Sequence, residues 1–134
     1  MRQIRGSFWE AQEEYKIIPV NGSIMRNGEL VMIKGLSLAA RNKYPELPNL
    51  IGTYVNKFGN MPMMLHDYKL MTFPIKNNWM DKPDLDIIKT SAVKAYNMLP
   101  RETTAAMIRP GGIDWKLVKP VIEKILDDRF VVYG

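Results

Sequence analysis

The sequence contains no cysteine and a single histidine, His66. The first absence excludes a disulfide scaffold, a thiolate zinc site, an iron–sulfur cluster and a cysteine nucleophile, and the second argues against a multi-histidine metal site. No uninterrupted apolar stretch approaches the roughly 20 residues of a spanning helix. No apolar signal-peptide core follows Met1-Arg2-Gln3-Ile4-Arg5-Gly6-Ser7. These absences set the expectation of a soluble cytoplasmic protein with no membrane partner. Internal repeats, low-complexity runs and Gly/Ser linkers are missing as well, so nothing divides the 134 residues and one domain is expected.

What is present is a globular composition with a basic bias. Hydrophobic residues at 46% and charged residues at 25% are close to the soluble average, which excludes wholesale disorder. Nineteen Lys and Arg against fourteen Asp and Glu give a net charge of +5, which favours an anionic ligand or partner. Charge alone does not choose between nucleotide, nucleic acid and mere solubility.

The element types alternate along the chain. Ile4 to Trp9 and Tyr15 to Val20 read as strands, and Ile17-Ile18 suggests that the second is central and buried. Asn21-Gly22-Ser23 and Asn27-Gly28 are turn formers, after which Leu36, Ala39, Ala40 and Tyr44 recur at helical spacing until Pro45. A second helix is expected over Leu47 to Phe58, then two short extended runs, Met61 to His66 and Lys69 to Pro74. Leu85, Ile88, Ala92, Ala95 and Leu99 follow at steps of three and four, the apolar face of a helix that Pro100 stops. Thr103 to Ile108 reads as a strand, Trp115, Val118, Ile122 and Ile125 mark another helix face, and Phe130 to Tyr133 closes as a strand. Pro120 conflicts with an unbroken last helix, so either a separate first turn covers Trp115 to Val118 or the helix kinks. Strands interleaved with helices predict a three-layer α/β/α sandwich around a mixed sheet, with ligands bound beyond the strand ends.

Three segments could carry chemistry there. Val20-Asn21-Gly22 leads through Met32-Ile33-Lys34-Gly35-Leu36 into a helix start, whose free N–H groups and positive dipole end suit a phosphate. An ordinary strand-to-helix connection would use the same glycines for turn geometry alone. Arg109-Pro110-Gly111-Gly112-Ile113-Asp114 repeats the pattern: adjacent glycines let backbone wrap a diphosphate, while Asp114 is better placed as a helix N-cap than as a catalyst. Phe73-Pro74-Ile75-Lys76-Asn77-Asn78-Trp79 ends a strand on one lysine, which could hold a phosphate or, partly desolvated, act on a sugar carbon. His66-Asp67 is discounted as an acid/base pair, since neighbours on a strand point to opposite faces.

Taken in order, these segments resemble a macro domain, and more closely the branch containing the terminal ADP-ribose glycohydrolase of animals and the DNA ADP-ribosyl glycohydrolase antitoxins of bacteria. The resemblance is carried by Ile4-Arg5-Gly6-Ser7-Phe8-Trp9, Ile18-Pro19-Val20-Asn21-Gly22, Met32 to Ala39 with Lys43-Tyr44-Pro45-Glu46, Phe73-Pro74-Ile75-Lys76 with Trp79, and Gly111 to Trp115 with Val118 to Lys124. It implies a three-layer α/β/α fold that binds ADP-ribose across the sheet ends. By that resemblance Lys76 is the catalytic residue, attacking or stabilising the distal-ribose anomeric carbon. Asn21 with Gly22 would approach the distal ribose. The Lys34-Gly35-Leu36 backbone and the Gly111-Gly112 loop, flanked by Arg109 and Ile113, would hold the diphosphate. Ser7 and Phe8 are expected at the ligand, Ser7 standing where the family carries an adenine-contacting aspartate. Gly111 occupies the place of the animal enzyme's catalytic aspartate, and the loop before it is shortened.

The expected partner is therefore ADP-ribose or an ADP-ribosylated macromolecule, with nucleic acid as one possible carrier of the modification and with no metal or cofactor required. The activity implied is hydrolysis of an ADP-ribosyl bond. A non-catalytic ADP-ribose reader and a phosphatase or deacylase of ADP-ribose derivatives are the alternatives.

Overall fold

The run Tyr15-Lys16-Ile17-Ile18-Pro19-Val20 forms β2 (Tyr15–Val20), the middle of a six-stranded sheet in the computed structural model, which describes all 134 residues. The other elements are β1 (Arg2–Ile4), α1 (Gly35–Lys43), α2 (Leu47–Phe58), β3 (Met64–Leu65), β4 (Leu70–Pro74), α3 (Leu85–Met98), β5 (Ala105–Ile108), α4 (Trp115–Ile122) and β6 (Phe130–Tyr133). The strand order is β1-β6-β5-β2-β4-β3, parallel throughout except for β3, which runs antiparallel to β4 at one edge.

The side-chain period of two splits each central strand between two cores. Tyr15, Ile17, Met71, Phe73, Ala105, Met107, Phe130 and Val132 face α3 and α4, meeting Ile88, Ala92, Ala95, Val118 and Ile122. Ile18, Val20, Leu70, Ala106, Val131 and Tyr133 face the opposite way and meet Ala40, Leu47, Ile51 and Val55 of α1 and α2. The expected three layers are thus present, and both faces of the central strands are apolar because both are covered. No helix is long and apolar enough to cross a membrane.

The structure corrects the expected boundaries. The opening strand covers Arg2–Ile4 rather than Ile4 to Trp9. Its partner β6 ends at Tyr133, so pairing runs out at Ile4↔Tyr133, and Phe8–Glu10 tightens into a 3-10 turn that drives Phe8 into the core. The strand predicted from Thr103 begins at Ala105, and the run Met61 to His66 pairs only at Met64–Leu65. The last helix passes through Pro120 without a separate first turn. Pro120 lies on its exposed side, where the freed carbonyl one turn back is not shut away from solvent.

The segment between β2 and α1 is a fixed hairpin. Ile24 bridges Leu30, Gly28 N–H bonds to the Met25 carbonyl at 2.9 Å, and Leu30 N–H bonds to the Pro48 carbonyl of α2 at 2.8 Å. Leu30 and Met32 are each 1% exposed, so the returning arm of this hairpin is part of the core, while its tip at Met25, Arg26 and Asn27 is exposed.

Candidate functional site

Proline in a central strand needs a reason, because it cannot donate to the ladder. Along β2, Lys16 N–H bonds toward β4 at the Lys69 carbonyl and Tyr15 N–H bonds toward β5 at the Thr104 carbonyl, so the backbone N–H groups of odd-numbered residues point at β5. Pro19 therefore lacks its donor on the β5 side. The β2–β5 ladder stops at Lys16↔Ala106, although β5 continues to pair with β6 as far as Ile108↔Tyr133. Past that point β2 and β5 part. Their onward connections also leave in opposite senses, β2 to α1 on one face and β5 to α4 on the other, the topological switch at which open α/β sheets bind ligands.

A cleft of about 700 Å³ opens there, with Pro19, Val20 and Ile108 among its lining residues. Its wall on one side is the start of α1. Lys34 is extended, and Gly35 at φ +59 turns the chain into the helix in a left-handed conformation that favours glycine. The first intrahelical bond is Leu38 N–H to the Lys34 carbonyl at 3.2 Å, so the N–H groups of Gly35, Leu36 and Ser37 have no carbonyl one turn back to bind. The opposite wall is Gly111 and Gly112 after β5. Gly112 sits at φ +82 with space for a Cβ only 3.2 Å from Pro83, so this loop closes against the one leaving β4.

Lys76, two residues beyond β4, also lines the cleft. It is only 8% exposed and takes part in neither of the protein's two ion pairs. Burial pushes its ammonium below the usual lysine range, the Lys34 charge pushes the same way, and Asp81 opposes both. Lys34, Lys76, Lys82 and Arg109 place four cationic side chains around one cavity, against the single carboxylate of Asp81. Arg109 is held by the Gly134 carbonyl at 3.2 Å and lies over the Trp115 ring. The rim is apolar: Ile33, Trp79 and Met80 line the cleft and are 46%, 38% and 75% exposed.

Asn21 lines the cleft too, buried to the same degree as Lys76. Its amide donates to the Val31 carbonyl at 3.0 Å and accepts from Ser23 N–H at 2.9 Å, so it braces the hairpin while one hydrogen and one lone pair stay free. The Ser23 hydroxyl in turn accepts from Trp79 N–H at 2.9 Å, which ties the hairpin to the loop after Lys76.

The structure thus brings together eight of the residues singled out in the sequence: Asn21, Lys34, Gly35, Leu36, Lys76, Arg109, Gly111 and Gly112. Four others lie outside the lining. Ser7 is exposed ahead of the 3-10 turn, and Phe8 is a core residue edge-on to Trp9 at 5.2 Å. Gly22 is fixed by Asn60, whose side chain would be 2.8 Å from a Cβ there. Ile113 packs against the α3/α4 core. Sequence reasoning did not single out Ile33, Met80, Asp81, Lys82 or Pro83. The usable signal for the last four was the turn-rich stretch from Asn77 to Pro83 between a strand end and the Asp84 cap, which has to fold over the strand ends.

The sheet order, the three layers and this cleft define a macrodomain fold. The likeness extends to particular solved structures. The macrodomain of Thermus aquaticus DarG superposes with a TM-score of 0.75 at 20% identity over 98% of this chain and 95% of that one. The macrodomain of Mycobacterium tuberculosis DarG does so at 0.79 and 20% over 99% and 96%. Thermosipho africanus DarTG, solved in complex with ADP-ribose, matches at 0.79 and 17% over 98% of this chain and 40% of that one. No family model and no curated protein matches the sequence. At such identities the likeness establishes the fold.

Proposed function

We propose that this protein binds ADP-ribose in the cleft between β2 and β5 and hydrolyses an ADP-ribosyl bond on a macromolecule, with Lys76 as the essential residue. The observation that carries this is Lys76 itself: a lysine 8% exposed, without a counter-ion, at the strand end of a cleft whose two walls are a helix N-terminus and a glycine loop. The stem of Lys76 is buried and its ammonium reaches the cleft without an ion-pair partner, which raises the cost of its charge and marks it as a candidate for chemistry there. The lowered pKa brings the group nearer neutrality, where it exchanges protons with a reacting atom most effectively.

The rest of the cleft suits the remaining parts of ADP-ribose. The α1 N-terminus with Lys34 and the Gly111-Gly112 loop with Arg109 offer N–H groups and positive charge to a diphosphate. Trp79, Met80 and Ile33 offer apolar surface to a ring. The solved complex of Thermosipho africanus DarTG with ADP-ribose, on the same fold, supports the ligand class. The net charge of +5 is compatible with a nucleic-acid carrier of the modification. By the family resemblance Gly111 stands where the animal enzyme has its aspartate, and this favours a second reading in which the domain binds ADP-ribose without cleaving it.

Release of ADP-ribose from an ADP-ribosylated protein and from an ADP-ribosylated oligonucleotide separates the two. Wild-type protein is expected to cleave at least one of them, and Lys76→Ala to lose the rate by on the order of 100-fold to 10,000-fold while still binding free ADP-ribose. Binding without release by the wild type would establish the reader instead.

A further inference from the structure

Asp81 is the one acidic side chain among the residues that line the cleft, and it sits among Lys34, Lys76, Lys82 and Arg109. A carboxylate in a cavity built for a diphosphate weakens binding of that anion, so its presence calls for a compensating role. It is held where it is: its Oδ2 accepts from Asn78 N–H at 3.2 Å, and Asp81 N–H bonds back to the Asn78 carbonyl at 2.9 Å, a tight turn five residues past Lys76. Its charge reaches Lys76, the only group that counteracts the two influences lowering that lysine. The carboxylate, exposed and bonded to the backbone two residues past Lys76, stands on the Lys76 side of the cleft.

The reaction proposed above creates a demand that no other lining residue meets. Cleavage at an anomeric carbon passes through an oxocarbenium-like state, in which positive charge develops on the sugar. The charged groups Lys34, Lys76, Lys82 and Arg109 all oppose that charge, and none of them in its cationic form can take a proton from water. Gly111 and Gly112 on the opposite wall have no side chains to offer.

We propose that Asp81 is the second catalytic residue of this site, offsetting the positive charge at the anomeric carbon and accepting the proton of the attacking water. This rests on the ADP-ribosyl hydrolysis reading. The bond between the anomeric carbon and the acceptor atom breaks with its electron pair on the acceptor, which takes a proton from the Lys76 ammonium. A water oxygen bonds to the anomeric carbon and its proton passes to the Asp81 carboxylate. The products are ADP-ribose and the protonated acceptor, and exchange with solvent returns a proton to Lys76 and removes the one on Asp81. The lysine thus supplies the acid and a loop carboxylate supplies the base.

The test is Asp81→Asn, which keeps the shape and can still accept the Asn78 N–H bond. Wild type and variant are titrated with free ADP-ribose by calorimetry and assayed for release of ADP-ribose from the same two substrates, the modified protein and the modified oligonucleotide. The expected result is a fall in kcat on the order of 100-fold or more, with KM little changed and ADP-ribose bound as tightly or more tightly, since one negative charge leaves the diphosphate cavity. Asp81→Glu is expected to recover part of the rate. An Asp81→Asn protein that turns over like the wild type would overturn the assignment and leave the hydrolase reading intact. Loss of ADP-ribose binding together with rate would also overturn it, since the residue would then shape the cleft. Wild-type protein that binds ADP-ribose and releases none would remove the reaction, and with it the role of Asp81.

Discussion

Replacing Gly52 by alanine tests whether the hairpin beside the cleft is a fixed wall. Gly52 is buried in α2, and a Cβ built on it would lie 2.0 Å from the Gly28 carbonyl oxygen and 2.9 Å from the Leu30 nitrogen. Ordinary contact begins at 3.4 Å, so helix and hairpin would have to part by roughly 1.4 Å. Both partners are backbone, and the movement stretches the Leu30 N–H bond to the Pro48 carbonyl. Overpacking of this kind costs about 3 kcal/mol, and a weakened hydrogen bond about 1 more. The better helix propensity of alanine returns about 1 kcal/mol, for a net loss of about 3. That is a large share of the roughly 5–15 kcal/mol that holds a domain folded, and at this size lowers Tm by about 12 °C. Circular-dichroism melting and urea titration read both quantities. Because the hairpin joins Asn21 to Lys34, ADP-ribose binding should weaken as well. A variant melting within about 2 °C of the wild type would show that α2 and the hairpin are not clasped as described.

Other substitutions probe elements that flank the site. Asp84→Ala removes the cap that accepts from Asp86 N–H at 2.8 Å and Ile87 N–H at 3.3 Å, and should cost about 1 kcal/mol in urea denaturation with the m-value unchanged. Tyr133 donates its hydroxyl to Glu13, and this bond, then burial, pushes its pKa up to about 12 from the ordinary 10.0. A raised tyrosine pKa stabilises the fold below the unfolded value and loses that contribution as pH climbs from about 10 to about 12. Wild type should therefore lose more stability than Tyr133→Phe over that interval, and parallel pH–stability curves would contradict the assignment.

The elements with strong internal periodicity were legible in the sequence. Steps of three and four from Leu85 to Leu99, bounded by Asp84 and Pro100, set α3 to within a residue. Ile17-Ile18 marked a strand covered on both faces. The opening strand is shorter than its local pattern predicts because its end is decided by where β6 runs out, a partner 129 residues away in each pair, such as Ile4↔Tyr133. Helix α4 tolerates Pro120 because that face is exposed, which is again a tertiary fact. In the site, residues lying directly at strand ends and glycine turns were found: Asn21, Lys34, Lys76 and Gly112 all line one cleft. Asp81, Lys82 and Met80 were missed because a loop carries no periodicity, and only folding over the strand ends brings it to the cavity. Phe8 packs into the core, and the sequence does not reveal this because an aromatic beside a glycine turn has the same pattern whether it faces a cavity or the core.

The proposed activity depends on Lys76, whose ammonium reaches this cleft without an ion-pair partner, acting on ADP-ribose. Its most direct test is a calorimetric titration of wild type and Lys76→Ala with ADP-ribose and with AMP, alongside ADP-ribose release from the modified protein and oligonucleotide. Saturable binding of ADP-ribose by both proteins, much weaker binding of AMP, and release by the wild type alone are expected. Equal release by wild type and Lys76→Ala, or no heat with ADP-ribose, would contradict it.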